Sequence, residues 1–234
     1  MRKAEVYVLA GEPEVEVVLK PSPRARRLSL RVSRLDGRVT MSIPRGASRR
    51  EAVRFVQERA DWIRTHLADR PAELRPRPGG TVLLEGREVA LIASGGRAAR
   101  IEDGAIHLPL SAPEKTGARL AALLKTLARD RLATASDRYA AQVGRTYASL
   151  TLRDTRSRWG SCSSRGGLMY SWRLVMAPPE VLDYVAAHEV AHLVHMDHSR
   201  AFWAQVERLC PDYAHHRVWL RDHGADLHRY RFRD

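Results

Sequence analysis

The run opened by Pro178-Pro179 is the part of this chain with the fewest ways to fold. Val181, Tyr184, Val185, His188, Ala191 and His192 recur at spacings of three and four, so they share one side of a helix. A proline at the first helical position fits, because the N–H it lacks has no partner inside the helix there. His188 and His192 then stand one turn apart on the same face, close enough for both imidazoles to meet a single ion. Glu189 lies about 100° further round the helix. Together these residues make the H-E-x-x-H arrangement: two ligands for a zinc ion, with a carboxylate beside the open coordination position that can take a proton from metal-bound water.

A third ligand is needed, and two histidines compete for the place. His195 continues the same face, but a straight helix rises about 10 Å between positions 188 and 195, so three imidazoles in that row do not converge tetrahedrally. His198 follows an expected helix end near Met196-Asp197 and can approach from another direction. His198 is therefore preferred, and His195 is left to a supporting role or to the surface.

The rest of the chain reads as a mixture of strands and helices. The N-terminus, with a short apolar stretch up to Leu9, reads as a strand. Val15 and Val17, then Leu28, Leu30 and Val32, then Val39, Met41 and Ile43 alternate as three more strands, with Asp36-Gly37 turning the last two into a hairpin. Ser48 caps a helix running to about Leu67, and Arg70-Pro71 ends it. The segment Arg75 to Gly80 is the best candidate for an internal boundary. Residues 81 to 110 suggest further antiparallel strands. Ser111-Ala112-Pro113-Glu114 starts a long helix that ends near Gly144. Segments 148 to 152 and 168 to 175 look like strands around a polar stretch from Arg153 to Gly167. The expected organisation is α+β: a β-rich region with one helix over 1–78, then a metal-dependent hydrolase region over 79–234, or one continuous domain of both.

Composition narrows the partners. At 234 residues the chain can bury a full core, and its two cysteines, Cys162 and Cys210, show no C-x-x-C spacing that would indicate a disulfide framework or a thiolate metal site. No apolar run approaches the roughly 20 residues that span a bilayer, and the N-terminus is not a signal peptide, so a cytoplasmic location and no membrane partner are expected. A net charge of +13 makes nucleic acids and phosphorylated molecules plausible partners.

Five motifs follow one another across residues 150 to 220: Arg158-Trp159-Gly160-Ser161-Cys162-Ser163-Ser164, Trp172-Arg173-Leu174, His188 to Leu193, His198-Ser199 with Phe202-Trp203, and Trp219-Leu220. In this the chain resembles the YgjP-type (WSS1-like and SprT-like) zincin metallopeptidases. A weaker likeness covers residues 24 to 67, through Arg26-Arg27-Leu28-Ser29-Leu30 and Phe55 to Leu67. The resemblance implies a zincin fold, with a mixed sheet flanking the active-site helix and one edge strand facing the cleft. It implies one zinc ion per chain, held by His188, His192 and His198, with Glu189 as general base and a peptide or protein as substrate. Ser171 and Asp197 depart from it, standing where Asn is expected.

In the 158–164 loop, Gly160 and its small polar neighbours could line a cleft and Arg158 could stabilise an oxyanion. Trp159 and Cys162, like Trp172, Phe202, Trp203 and Trp219, read better as core. Two other functions stay open beside peptide hydrolysis. Relatives of the resembling type are linked to nucleoside triphosphate pyrophosphatase activity, although the chain has no G-x-x-x-x-G-K-[ST] loop. The basic charge also fits a DNA-associated protease or a nucleic-acid-binding module with structural zinc, but structural zinc usually has four protein ligands.

Overall fold

The computed structural model describes residues 4–33, 37–69 and 72–232. It has the α+β class expected from the sequence. Two compact units divide the chain, Met1–Ala72 and Glu73–Asp234. Asp36 and the Arg70-Pro71 stop signal lie outside the described residues.

In the first unit, strands β1 (Glu5–Leu9), β2 (Val15–Pro21), β3 (Ser29–Val32) and β4 (Val39–Ile43) form one sheet in the order β1-β2-β4-β3. β3 and β4 pair antiparallel, as the hairpin signal requires, but β2 and β4 run parallel. Alternation aims Val15, Val17, Leu19, Val39 and Met41 at one side of the sheet, where they share a buried core with Ala52, Val56 and Ile63 of the following helices. Ser48 does cap a helix. Its hydroxyl accepts from the Glu51 N–H at 3.2 Å, and the Ser48 N–H donates to Glu51 Oε2 at 2.7 Å, a reciprocal capping box. The single helix expected up to Leu67 is instead two, α1 (Arg49–Glu58) and α2 (Ala60–Ala68), because Arg59 leaves helical geometry at φ −107°, ψ 16°. The apolar period runs straight through that break, so the pattern carries no sign of it.

In the second unit, the proline-rich run from Arg75 to Gly80 is no free linker. The Gly79 N–H donates to the Leu91 carbonyl at 2.7 Å, and the Leu91 N–H donates back to Gly80 at 2.9 Å. β5 (Thr81–Leu84), β6 (Arg87–Ser94), β7 (Arg100–Glu102) and β8 (Ala105–Pro109) follow in the order β5-β6-β8-β7. The all-antiparallel expectation fails at β6 and β8, which pair parallel. The two tight hairpins are formed where positive φ is available, at Glu85-Gly86 (50°, 76°) and Asp103-Gly104 (49°, 75°); the longer β6–β7 connection leaves room for β8 to insert.

The long helix α3 (Thr116–Gln142) buries Leu120, Leu124, Ala128, Leu132, Ala135 and Tyr139 along one face. It stops at Gly144 in a double backbone bond, Gly144 N–H to Ala141 and Arg145 N–H to Ala140, which a left-handed φ of 61° permits. Beyond it β9 (Ser149–Arg153), β10 (Gly160–Cys162) and β11 (Gly167–Ser171) form a mixed sheet in the order β10-β11-β9, so β10 is an edge strand. β10 falls in the stretch the sequence shows only as polar. The strand expected over 168–175 ends at Ser171, and Trp172–Met176 is a fully buried 3-10 helix. A short run that is buried on all sides has no period to separate strand from buried helix.

Arg173, from that 3-10 helix, braces the approach to β10. Its Nε and Nη2 donate to the two carboxylate oxygens of Asp154 at 2.6 and 3.2 Å, and its Nη1 donates to the carbonyls of Leu227 and Tyr230. The helix α4 (Pro179–Ala191) carries His188, has His192 as its C-cap and is buried on nearly every side. It ends at Ala191, earlier than the expected Met196-Asp197, where the Val194 and His195 N–H groups both turn back to the Ala191 carbonyl. α5 (Arg200–Leu209) and α6 (Tyr213–His223) complete the unit. No helix of the described residues is long and apolar enough to cross a membrane.

Candidate metal centre

His188 and His192 meet His198 at the end of α4, with one ligand-capable atom of each residue within 4.8 Å of the others. His188 Nε2 and His198 Nε2 are 3.3 Å apart. Two nitrogens bound tetrahedrally to zinc at about 2.0–2.1 Å would stand about 3.3–3.4 Å apart, so this pair already has the span of one coordination edge. His192 is held from behind. A carbonyl can only accept, so His192 Nδ1 donates to His195 O at 2.9 Å, which leaves Nε2 as the free ligand atom. His195 thus contributes its backbone rather than its ring, made possible by the early end of α4.

His198 reaches the pair because α5 starts immediately after it. Ser199 caps α5 by accepting from the Phe202 N–H, while its own N–H donates to Asp197 Oδ1 at 3.2 Å. Those bonds with Ser199 also hold the Asp197 carboxyl below its ordinary range. Phe202, fully buried, lies against all three imidazoles, with ring centroids 4.4 Å from His192, 4.9 Å from His198 and 5.0 Å from His188. Trp203 flanks His188 and His198 at 5.6 and 5.9 Å. The reading of Phe202 and Trp203 as core packing is accurate but incomplete, since what they pack against is the three-histidine cluster.

Burial sets the protonation of the group. It pushes His188 down to about 3, helped by the neighbouring His192 and His198, and it lowers His192 as well. Neutral imidazoles are the form that binds a cation. Glu189, only 5% exposed, is pushed up to about 8 by burial, against the opposing pull of Arg158 and of the Cys162 backbone amide. β10 crosses directly over this carboxylate. A Cβ on Gly160 would lie 2.5 Å from Glu189 Oε1 and 2.6 Å from its Cγ. Arg158, Gly160, Ser161 and Cys162 form one wall of an open cleft whose other wall includes the histidines and Met196. Cys162 both packs on the core and faces this cleft, and burial followed by the Glu189 charge pushes its thiol up to about 11, away from thiolate chemistry.

A family model described as YgjP-like, metallopeptidase domain, matches residues 26–223. The chain belongs to this YgjP-like metallopeptidase family. Membership makes it a hydrolase of the metallopeptidase kind and implies a divalent metal, for which the three-histidine cluster is present. A search of curated proteins gave no significant match. Among solved structures, the crystal structure of the metallopeptidase zymogen of Pyrococcus abyssi abylysin is similar over 38% of this chain and 93% of that chain, at 20% identity and a TM-score of 0.35. The assignment rests on the sequence match.

Trp159, next to Gly160 in this YgjP-like domain, packs its ring 5.1 Å from that of buried His228. Burial, then the charge of Arg173, depresses His228 from 6.5 to about 4. As pH falls below about 6.5 the unfolded chain takes up a proton that the folded chain refuses. His228 therefore costs nothing above 6.5, and stability is lost progressively as pH falls toward 4, by up to about 3 kcal/mol. His228→Phe, which keeps an aromatic partner for Trp159, is expected to flatten that loss. Urea unfolding of both proteins at pH 7.5 and pH 4.5 measures it: the wild type is to lose more stability than the variant, and parallel losses would contradict the assignment.

Proposed function

We propose that this protein is a zinc-dependent peptidase with a zincin-like active site. His188, His192 and His198 hold one zinc ion, and Glu189 is the general base. The observation that carries the reading is the convergence of three imidazoles beside a buried carboxylate, beneath an edge strand. Three nitrogen donors without a thiolate, and a side open to the cleft, fit catalytic rather than structural zinc. When bound, the ion acts as a Lewis acid on the substrate carbonyl and lowers the pKa of water toward about 7.

The chain's own residues supply the rest. Glu189, buried beside the three histidines and lining the same cleft, takes the proton of the attacking water and returns it to the departing amine. As an edge strand, β10 offers backbone groups on the side away from β11 to an extended peptide, which pins the substrate beside the carboxylate. Gly160 gives that strand the room to lie on Glu189.

Hydrolysis of casein and of nucleoside triphosphates, assayed side by side with zinc-loaded protein, tests the reading. Casein cleavage that disappears in Glu189→Gln, with the triphosphates left intact, is the expected result. Triphosphate cleavage without peptide cleavage would overturn it in favour of a pyrophosphatase.

A further inference from the structure

Arg158 is the one guanidinium among the described residues of the cleft wall. Elsewhere in the unit Arg173 pairs with Asp154, Arg131 with Glu85 and Arg138 with Asp183. The Arg158 side chain is exposed and makes no ion pair or hydrogen bond with the described residues. Only its backbone is tied, its carbonyl accepting from Thr155 Oγ1 at 2.8 Å in the turn before β10. Yet the side chain lines the same cleft as Glu189 and the three histidines. An anchored backbone, a free planar fork and a place beside the general base suit a residue that waits for a ligand's negative charge.

Two negative charges could meet it: the oxyanion formed during hydrolysis, or a carboxylate that the substrate brings. Oxyanion stabilisation works through donors fixed in advance in a site shut off from water. Arg158 is exposed and fixed by no side-chain bond, which fits the second role better. A guanidinium and a carboxylate match as two parallel hydrogen bonds, strengthened when peptide binding excludes water from the cleft. The net charge of +13 favours acidic partners at longer range.

We propose that Arg158 is a specificity residue that pairs with an Asp or Glu side chain flanking the scissile bond, so that the cleft selects acidic peptides. This rests on the peptidase reading above. Cleavage sites are mapped by mass spectrometry in a proteome-derived peptide library, with zinc-loaded wild type, Arg158→Gln and Arg158→Glu. Peptides matched except for Glu or Gln at the favoured position then give kcat and KM.

The wild type is expected to favour the Glu peptide about tenfold in kcat/KM, mainly through KM. Arg158→Gln is to bring that ratio to about one, and Arg158→Glu is to shift the mapped sites toward Lys and Arg. Wild-type cleavage without acidic preference, or a preference that survives in Arg158→Gln, would overturn the inference and leave the peptidase reading standing. So would an equal fall in kcat on both peptides in Arg158→Gln, the mark of an oxyanion role. No cleavage of any peptide by zinc-loaded wild type removes both.

Discussion

Glu189→Gln is expected to keep its metal and to lose hydrolytic activity by about 10²–10⁴-fold. The amide has nearly the shape of the carboxylate but cannot accept the proton of the attacking water. Its neutral charge suits the place it enters, because burial already disfavours the ionised carboxyl and pushes it up to about 8. The variant should therefore fold at least as well as the wild type, so that its activity loss reports chemistry rather than damage. Activity assays together with elemental analysis of the same samples check this. A variant that loses metal along with activity would place Glu189 in the ligand set; one that stays active would remove it from the mechanism.

Gly160→Ala is expected to lower kcat/KM by about 10²-fold, equivalent to about 2.7 kcal/mol, with a smaller effect on stability of about 1 kcal/mol. The added methyl would meet three atoms of one side chain, Glu189 Oε1, Cγ and Cδ, at 2.5, 2.6 and 2.8 Å. Something must shift, and what lies in the way is the Glu189 side chain, the proposed general base, rather than rigid backbone. The carboxylate gives way, so the cost falls mainly on activity. Urea unfolding and steady-state kinetics on the same preparation separate the two, and full activity in Gly160→Ala would show that β10 does not lie on the base as described.

The sequence is most legible where local chemistry decides the outcome. Ser48 with Glu51, the β3–β4 hairpin and the Gly144 stop of α3 are each set by a few neighbouring residues, and each is found where its signal lies. Properties set by distant partners are not legible. The parallel pairings of β2 with β4 and of β6 with β8 depend on which strand inserts where, which alternation does not encode. β10 is three residues of small and polar side chains, made a strand by its partner β11. The same division runs through the site. Helical spacing brings His188 and His192 to one face, and His198 joins them because α4 stops at Ala191 and α5 begins at Arg200. The His195 carbonyl behind His192 and the Phe202 ring beneath all three imidazoles are products of that fold-back, and the histidine spacing itself gives no sign of either.

The most direct test of the account is zinc content, measured by elemental analysis on wild type, His188→Ala and His198→Ala after zinc loading and removal of excess metal, with circular dichroism to verify folding. The account predicts one zinc per chain in the wild type and less than about a tenth of that in either folded variant, since two imidazoles hold zinc far more weakly than three. A wild type that binds no zinc, or a His188→Ala variant that retains a full equivalent, would contradict it.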